Sequence, residues 1–401
     1  MWIDLSPLQK YPAFRRLYLG QLVSVLGTSL TFVALPYDIY QKTQSTALVG
    51  LIGVVQLVPL VLTGFWGGAL ADSMNRVRLI IQCEIGLALL CAVYPFATRG
   101  DAVWPSFLFA ALFSALSGIH RPALESLTPR LVPLEDIPRV SALSGFRGTF
   151  AHVIGPTIGG LLLAKFGVPG AFYIDSLSYL ASIFFLAGIS EPGRNEKTTR
   201  PSFASIVDGL RYAVARPVLL GSYLVDIAAM MFCYPIALFP ALAGGDVRVL
   251  GWLYSSSAFG ALVCTIFSRW TVKRRRYGVW ITIAALGWCL AIAGAGFATT
   301  VTVTLAFFVA SGFADMVSGM FRSNLWNETI PDSVRGRLAG IEMLSYMSGP
   351  LIGNTWMGFL AASTGPHLAL QIGAGVSSIL ILGIVLFCVP GFWKFTSARD
   401  A

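Results

Sequence analysis

Long apolar runs alternate along this chain with short breaks rich in charge, proline and glycine. A hydrocarbon core about 30 Å thick needs about 20 mostly apolar residues per helix at 1.5 Å of rise per residue. Cutting the chain at its breaks predicts twelve such helices, over 17–40, 47–70, 78–98, 103–125, 139–164, 169–190, 218–243, 249–269, 278–298, 301–324, 338–363 and 368–390. The longest polar stretch, Glu191 to Pro217, falls midway, so the expected domains are a six-helix bundle over 1–190, a cytoplasmic linker over 191–217 and a second six-helix bundle over 218–401. Within the linker Ile206, Leu210 and Val214 recur every four positions, which suits either an amphipathic helix on the membrane surface or a plain connection.

The two halves repeat one another. Ser117-Gly118-Ile119-His120-Arg121 returns as Ser318-Gly319-Met320-Phe321-Arg322, an offset of 201, and Gly155-Pro156-Thr157-Ile158-Gly159-Gly160 returns as Gly349-Pro350-Leu351-Ile352-Gly353-Asn354, an offset of 194. A single seven-residue difference in loop length reconciles the two offsets. A tandem duplication with an even number of spans per copy gives two halves of like orientation, an architecture of secondary transporters.

Composition agrees with an all-α membrane protein: 56% of the 401 residues are hydrophobic, 12% are charged, and mean hydropathy is +0.73. Met1 to Arg16 is polar and carries Lys10, Arg15 and Arg16 before the first apolar run, so that run is expected to stay as a span rather than be cleaved as a signal peptide. The six cysteines, Cys83, Cys91, Cys233, Cys264, Cys289 and Cys388, sit in apolar segments with neither zinc-site nor disulfide-framework spacing and read as small core residues. No metal site, cofactor motif or enzymatic triad is expected. The absence of a Gly-x-x-x-x-Gly-Lys-Ser/Thr loop speaks against an ATP-driven pump.

A net charge of +9 raises nucleic acid as a partner, but the basic residues are spread through short loops. With the N-terminus inside, 21 of the 28 Lys and Arg are cytoplasmic, four lie on the other side, and Arg121, Arg147 and Arg322 fall within or at the rims of helices. Cationic loops resist translocation, so both termini are expected in the cytoplasm, and lipid rather than nucleic acid is the partner.

Between spans two and three runs Gly67-Gly68-Ala69-Leu70-Ala71-Asp72-Ser73-Met74-Asn75-Arg76-Val77-Arg78-Leu79. This resembles the signature loop of the major facilitator superfamily, with Asn75 in place of the usual glycine; asparagine tolerates positive φ, so the sharp turn is expected to survive. The Gly155 to Gly160 run is similar to the motif of that superfamily's drug/proton antiporters. The runs Arg121-Pro122-Ala123-Leu124 to Leu131-Val132-Pro133 and Phe172-Tyr173-Ile174-Asp175-Ser176-Leu177-Ser178-Tyr179 resemble its branch of siderophore and macrolide exporters. The chain departs from the pattern twice. No arginine lies between Leu108 and Leu116 in the middle of span four, and the second-half loop Trp270 to Tyr277 keeps a basic cluster without the acid.

The resemblance implies a monomeric, multi-pass transporter of the bacterial inner membrane, with a small-molecule substrate and protons as its partners and alternating access as its mechanism. It assigns a gate and switch to Gly68, Asp72, Arg76, Arg78, Arg121, Gly155, Pro156, Gly159, Gly349 and Pro350. Asp72 would meet the start of the eleventh span near Arg337, with Arg121 as a cationic partner. Gly155-Pro156 and Gly349-Pro350 would let spans five and eleven bend, or serve only as close-packing seams.

Ionisable groups are costly in lipid, so those that remain are functional candidates. Asp226 lies about eight residues into span seven and Asp315 about nine from the inner end of span ten. These two are the first choice as proton carriers, with Arg147 as a cation needing an acid or an anionic substrate beside it and Asp38 as a further acid. Asp175 is expected to make a structural bond to Ser or Tyr. Glu84 and Glu342 are expected to pair with Arg76, Arg78 or Arg337, and His120 and His152 to be either proton relays or core residues. Tyr37, Phe232, Tyr234 and Phe321 are the candidates for an aromatic substrate cavity, which suits an amphipathic organic molecule. The leading expectation is a proton-coupled exporter of a drug or siderophore; a metabolite importer or facilitator, and a non-transporting membrane sensor, are the alternatives.

Overall fold

The computed structural model describes the backbone at residues 4–190, 211–212, 214–330 and 332–396, and the side chains at all of these except 65, 68–69, 71–72, 272–273 and 332–347. The apolar runs are helical, and no strand occurs among the described residues. In chain order the principal helices are α1 (Ser6–Lys10), α2 (Pro12–Thr43), α3 (Thr46–Ser73), α4 (Arg76–Ala97), α5 (Trp104–Leu127), α6 (Ile137–Leu186), α7 (Pro217–Cys233), α8 (Val247–Ile266), α9 (Tyr277–Phe297), α10 (Val301–Thr329), α11 (Asp332–Thr364) and α12 (Pro366–Gly383).

Local chemistry sets where these helices start and stop. Gln44 ends α2 in the left-handed region, φ 52°, with its N–H on the carbonyl of Tyr40. Thr300 caps α10 by accepting from the Val303 N–H, which makes Thr299-Thr300 a real break. Asn75 departs from expectation: its φ is −67°, and its side chain caps α4 by accepting from the Arg78 N–H at 2.9 Å. The asparagine works as an N-cap there, not as a stand-in for a left-handed glycine.

Ten segments of the described residues are long and apolar enough to cross a membrane. One of them, Leu134–Leu186, runs to 53 residues, or about 80 Å if straight, which is too long for one crossing. Within α6 the backbone leaves helical geometry at Gly167 (φ 69°, ψ −177°), dividing this length into two spans. The first half of α11 lies outside the described side chains, so α11 is not among the ten. These two points separate ten from the expected twelve.

The chain forms two compact units: Met1–Gln44, Val55–Arg200 and Asp246–Ser255 in one, Ser45–Val54, Pro201–Gly245 and Ser256–Ala401 in the other. Each unit takes the opening residues of one helix from the other half of the sequence. Glycine contacts account for this. In unit 2 a side chain on Gly50 would sit 2.7 Å from the Asn354 carbonyl, and Thr355 donates to the Gly50 carbonyl at 2.8 Å. In unit 1 a side chain on Gly251 would sit 2.9 Å from the Pro156 carbonyl, and Thr157 donates to Ser255 at 2.7 Å. Helices this close gain dispersion contact and short polar bonds, the usual glue between helices in lipid. Nearly all of the linker, including most of the expected amphipathic segment, lies outside the described residues.

Unit 1 packs Phe14, Leu17, Ile80, Leu127, Leu143 and Leu186 into a core at the end of the bundle nearer the N-terminus. Asp136 fastens that end, accepting from Tyr11, from Lys10 at 3.1 Å and from Arg139 at 2.7 Å. The Tyr11 hydroxyl and the Asp136 carboxylate together hold the exposed Lys10 ammonium above its usual range. In unit 2 the corresponding place is aromatic: Phe321 is fully buried, stacked on Trp280 with centroids 5.9 Å apart and flanked by Trp270 and Tyr277. Five cysteines are buried and Cys388, expected in the core, is exposed in the π turn Ile384–Cys388 that follows α12.

Candidate functional site

Unit 2 brings α7 and α10 together around a buried ion pair. Asp226, ten residues into the 17-residue α7, is 8% exposed, and its carboxylate meets the guanidinium of Arg322 from α10. Asp315 stands seven residues before Arg322 on α10, two helical turns away on nearly the same face, and lies within electrostatic reach of both Arg322 and Asp226. The site thus holds two carboxyls and one cation. Removed from water, a single guanidinium neutralises one carboxylate; the second acid is most stable carrying a proton.

Two buried donors beside this pair have no acceptor among the described residues: Arg322 Nε and the indole Nε1 of Trp326, whose ring lies 5.2 Å from that of Tyr223. Of the expected cavity aromatics, Phe232 is half-buried against Trp356 and Tyr234 is half-buried near Gly353, whereas Phe321 is enclosed in its aromatic cluster and lines no opening. Tyr37, in unit 1, is half-buried on α2.

The other expected proton groups lie elsewhere and are differently occupied. Asp38 in unit 1 is 7% exposed, paired with Lys42 at 3.0 Å and bonded by Tyr94 at 2.6 Å, and Tyr94 is in turn stacked on Phe172. It is built into a structural knot. Arg147 stands over the ring of Tyr18 at 5.7 Å, and among the described residues no carboxylate pairs with it. The guanidinium that meets an intramembrane acid is that of Arg322, the repeat partner of Arg121. Asp175 is fully buried and accepts from Thr31, Ser178 and Cys91, the structural role expected of it.

Among the gate residues, Gly68 and Asp72 lie outside the described side chains, as do Arg337 and Glu342. Arg76 is buried and donates from Nε to Ser126 at 3.1 Å, while Arg78 is exposed. Arg121 forms an exposed pair with Glu125 at 3.0 Å, one turn along its own helix. The backbone of α6 remains helical through Gly155-Pro156, where a side chain on Gly155 would strike Ser29 and one on Gly159 would come 3.3 Å from the Ser29 carbonyl. Gly349 approaches Met230 of α7, and Pro350 lies inside α11. Glu84 does not pair with Arg76 or Arg78; it accepts from Gln21 at 2.8 Å and Ser182 at 2.9 Å.

A family profile described as transmembrane secretion effector matches residues 3–396. The chain belongs to this family of the major facilitator superfamily. It is 28% identical over 400 residues to the enterobactin exporter EntS of Shigella boydii serotype 4 (strain Sb227), covering 96% of this chain and 94% of that protein. The enterobactin exporter of Escherichia coli strain SMS-3-5 is equally similar at 28%. Among solved structures, the nucleoside transporter NupG superposes with a TM-score of 0.72 at 14% identity over 96% of this chain and 99% of that one. A bacterial homolog of the human lysosomal transporter Spinster gives 0.73 at 15% identity over 98% and 97%. The fold is that of a major facilitator superfamily transporter. As a member of that superfamily the chain is a multi-pass membrane transporter of small molecules and not an enzyme.

Proposed function

We propose that this transporter exports a small amphipathic organic compound, of siderophore-like chemistry, from the cytoplasm across the bacterial inner membrane in exchange for protons. Asp226 and Asp315 carry the coupling protons and Arg322 is their shared counter-ion. The observation that carries this reading is the buried Asp226–Arg322 pair with Asp315 two turns away on the same helix as the arginine. A proton arriving at Asp226 releases Arg322, whose freed guanidinium, with the unpaired Arg322 Nε and Trp326 Nε1 donors, then suits the anionic or acceptor oxygens of a substrate. Loss of the proton restores the pair and removes the substrate's partner. The similarity to enterobactin exporters supports a siderophore over a sugar or an inorganic ion, and the charge asymmetry of the loops supports cytoplasmic termini.

The test is flux of labelled catecholate siderophore and of a drug panel in proteoliposomes carrying a pH gradient. Asp226→Asn and Asp315→Asn are each expected to abolish the dependence on the gradient. If both variants keep gradient-driven transport, neither acid carries the coupling proton. Accumulation of the compound by intact cells, in place of exclusion, would reverse the assigned direction.

A further inference from the structure

Unit 1 contains a further intramembrane acid whose surroundings differ from those of every other buried carboxylate described above. Glu84 on α4 has a fully buried side chain, and three groups converge on its Oε1: the Gln21 amide of α2 at 2.8 Å, the Ser182 hydroxyl of α6 at 2.9 Å and the His120 Nε2 of α5 at 3.3 Å. Its Oε2 is buried with no hydrogen-bond partner among the described residues. Asp38, Asp136 and Asp226 each have a Lys or Arg counter-ion, and Asp175, which has none among the described residues, accepts hydrogen bonds on both of its oxygens. Among the described residues Glu84 has none, and His120 is the one group beside it able to become cationic. The other titratable side chains near it are Cys83 of its own helix and Tyr179 of α6.

The internal repeat shows that packing alone does not require this arrangement. The offset of 201 that relates Ser117 to Ser318 also relates Gly20 to Gly221 and Gly86 to Gly287, so the register holds across α2, α4 and α5. It carries Gln21 to Ser222, Glu84 to Ala285 and His120 to Phe321, all buried in unit 2. The same three helices thus close on an alanine and a phenylalanine in one copy and on an acid and an imidazole in the other.

A buried carboxylate with one oxygen unpaired is costly in a low-dielectric interior unless a proton joins it or its neighbour. We propose that Glu84 and His120 form a proton-binding pair in unit 1, separate from the Asp226, Asp315 and Arg322 site, with the imidazole as the route by which the proton enters and leaves. The loaded pair holds one proton, on Nε2 or on the carboxyl, and is neutral overall. The unloaded pair is a Glu84 carboxylate beside a neutral imidazole, its charge held by the Gln21 and Ser182 donors. His120, with a side chain 14% exposed against 0% for Glu84, is the member that reaches the surface of the unit. This assignment stands whether or not Asp226 and Asp315 couple transport.

The chain has three histidines, so ¹⁵N-histidine spectra of the full-length protein in nanodiscs, assigned with His152→Gln and His367→Gln, follow each ring through pH separately. In Glu84→Gln, which preserves side-chain shape and the acceptor facing Gln21 and Ser182, the His120 titration curve is expected to be displaced while those of His152 and His367 are not. Superimposable His120 curves would overturn the pair. If Glu84→Gln does not fold, the acid-minus-alkaline infrared difference spectrum of the wild type and of His120→Gln takes its place. The carboxylic acid carbonyl band is expected to change its pH dependence in His120→Gln, and an unchanged band would be equally fatal.

Discussion

The five-residue motif that occurs in both halves of the chain does opposite things in them. In unit 1, Ser117 to Arg121 turns its fourth residue, His120, onto the buried Glu84 and leaves its fifth, Arg121, on an exposed pair with Glu125. In unit 2, Ser318 to Arg322 buries its fourth residue, Phe321, among aromatic rings and turns its fifth, Arg322, onto Asp226. One residue along a helix is about 100° of rotation. Each copy has therefore placed its charge chemistry against a different neighbouring helix while keeping the same backbone. Duplication preserved the scaffold, and the sites diverged by a change of partner.

The largest effect that would break this contrast belongs to Arg322. Arg322→Ala leaves a buried carboxylate without its cation, and the expected cost is about 3 to 5 kcal/mol, read as a lowered unfolding temperature in detergent, with transport reduced about a hundredfold or more. Arg322→Lys is expected to recover part of both. Phe321→His, which writes the unit 1 motif into unit 2, places a polar ring in a fully buried aromatic cluster and is expected to cost about 2 to 4 kcal/mol. The reverse exchange, His120→Phe, removes one partner of Glu84 and is expected to cost about 1 to 3 kcal/mol in the same measurement. Arg121→Ala is expected to move stability by no more than about 0.5 kcal/mol, because both members of its pair are largely exposed. An Arg121→Ala loss as large as that of Arg322→Ala would erase the distinction between the copies.

The helices were legible because span length and the charge at the breaks are local properties, and observed ends fall within a few residues of the expected ones for most of the chain. Where the structure departs from expectation, the deciding quantity is a partner on another helix, apart from Asn75, which is settled locally. The family pattern puts a turn glycine where Asn75 serves as an N-cap, and Glu84, expected beside basic residues, meets Gln21, Ser182 and His120 instead. Arg147 is the cation expected to need an acid beside it, yet the guanidinium that meets a membrane acid belongs to Arg322. Depth can be counted along one helix, but the direction a side chain faces depends on how its helix is rotated against its neighbours. The repeat carried the missing information: Arg322 is the copy of a residue already assigned a role in the first half.

The Asp226–Arg322 pair also bears on how the chain enters the bilayer. Ninety-six residues separate its members, so α7 is made and delivered to the membrane well before the arginine that neutralises its acid exists. A single Asp or Arg near the centre of a span costs about 2.5 to 3.5 kcal/mol on insertion, and α10 carries one of each. Delayed neutralisation of this kind favours keeping the seventh span beside its neighbours until the tenth emerges, so that the second half of the protein gathers its helices together rather than releasing them into lipid one at a time.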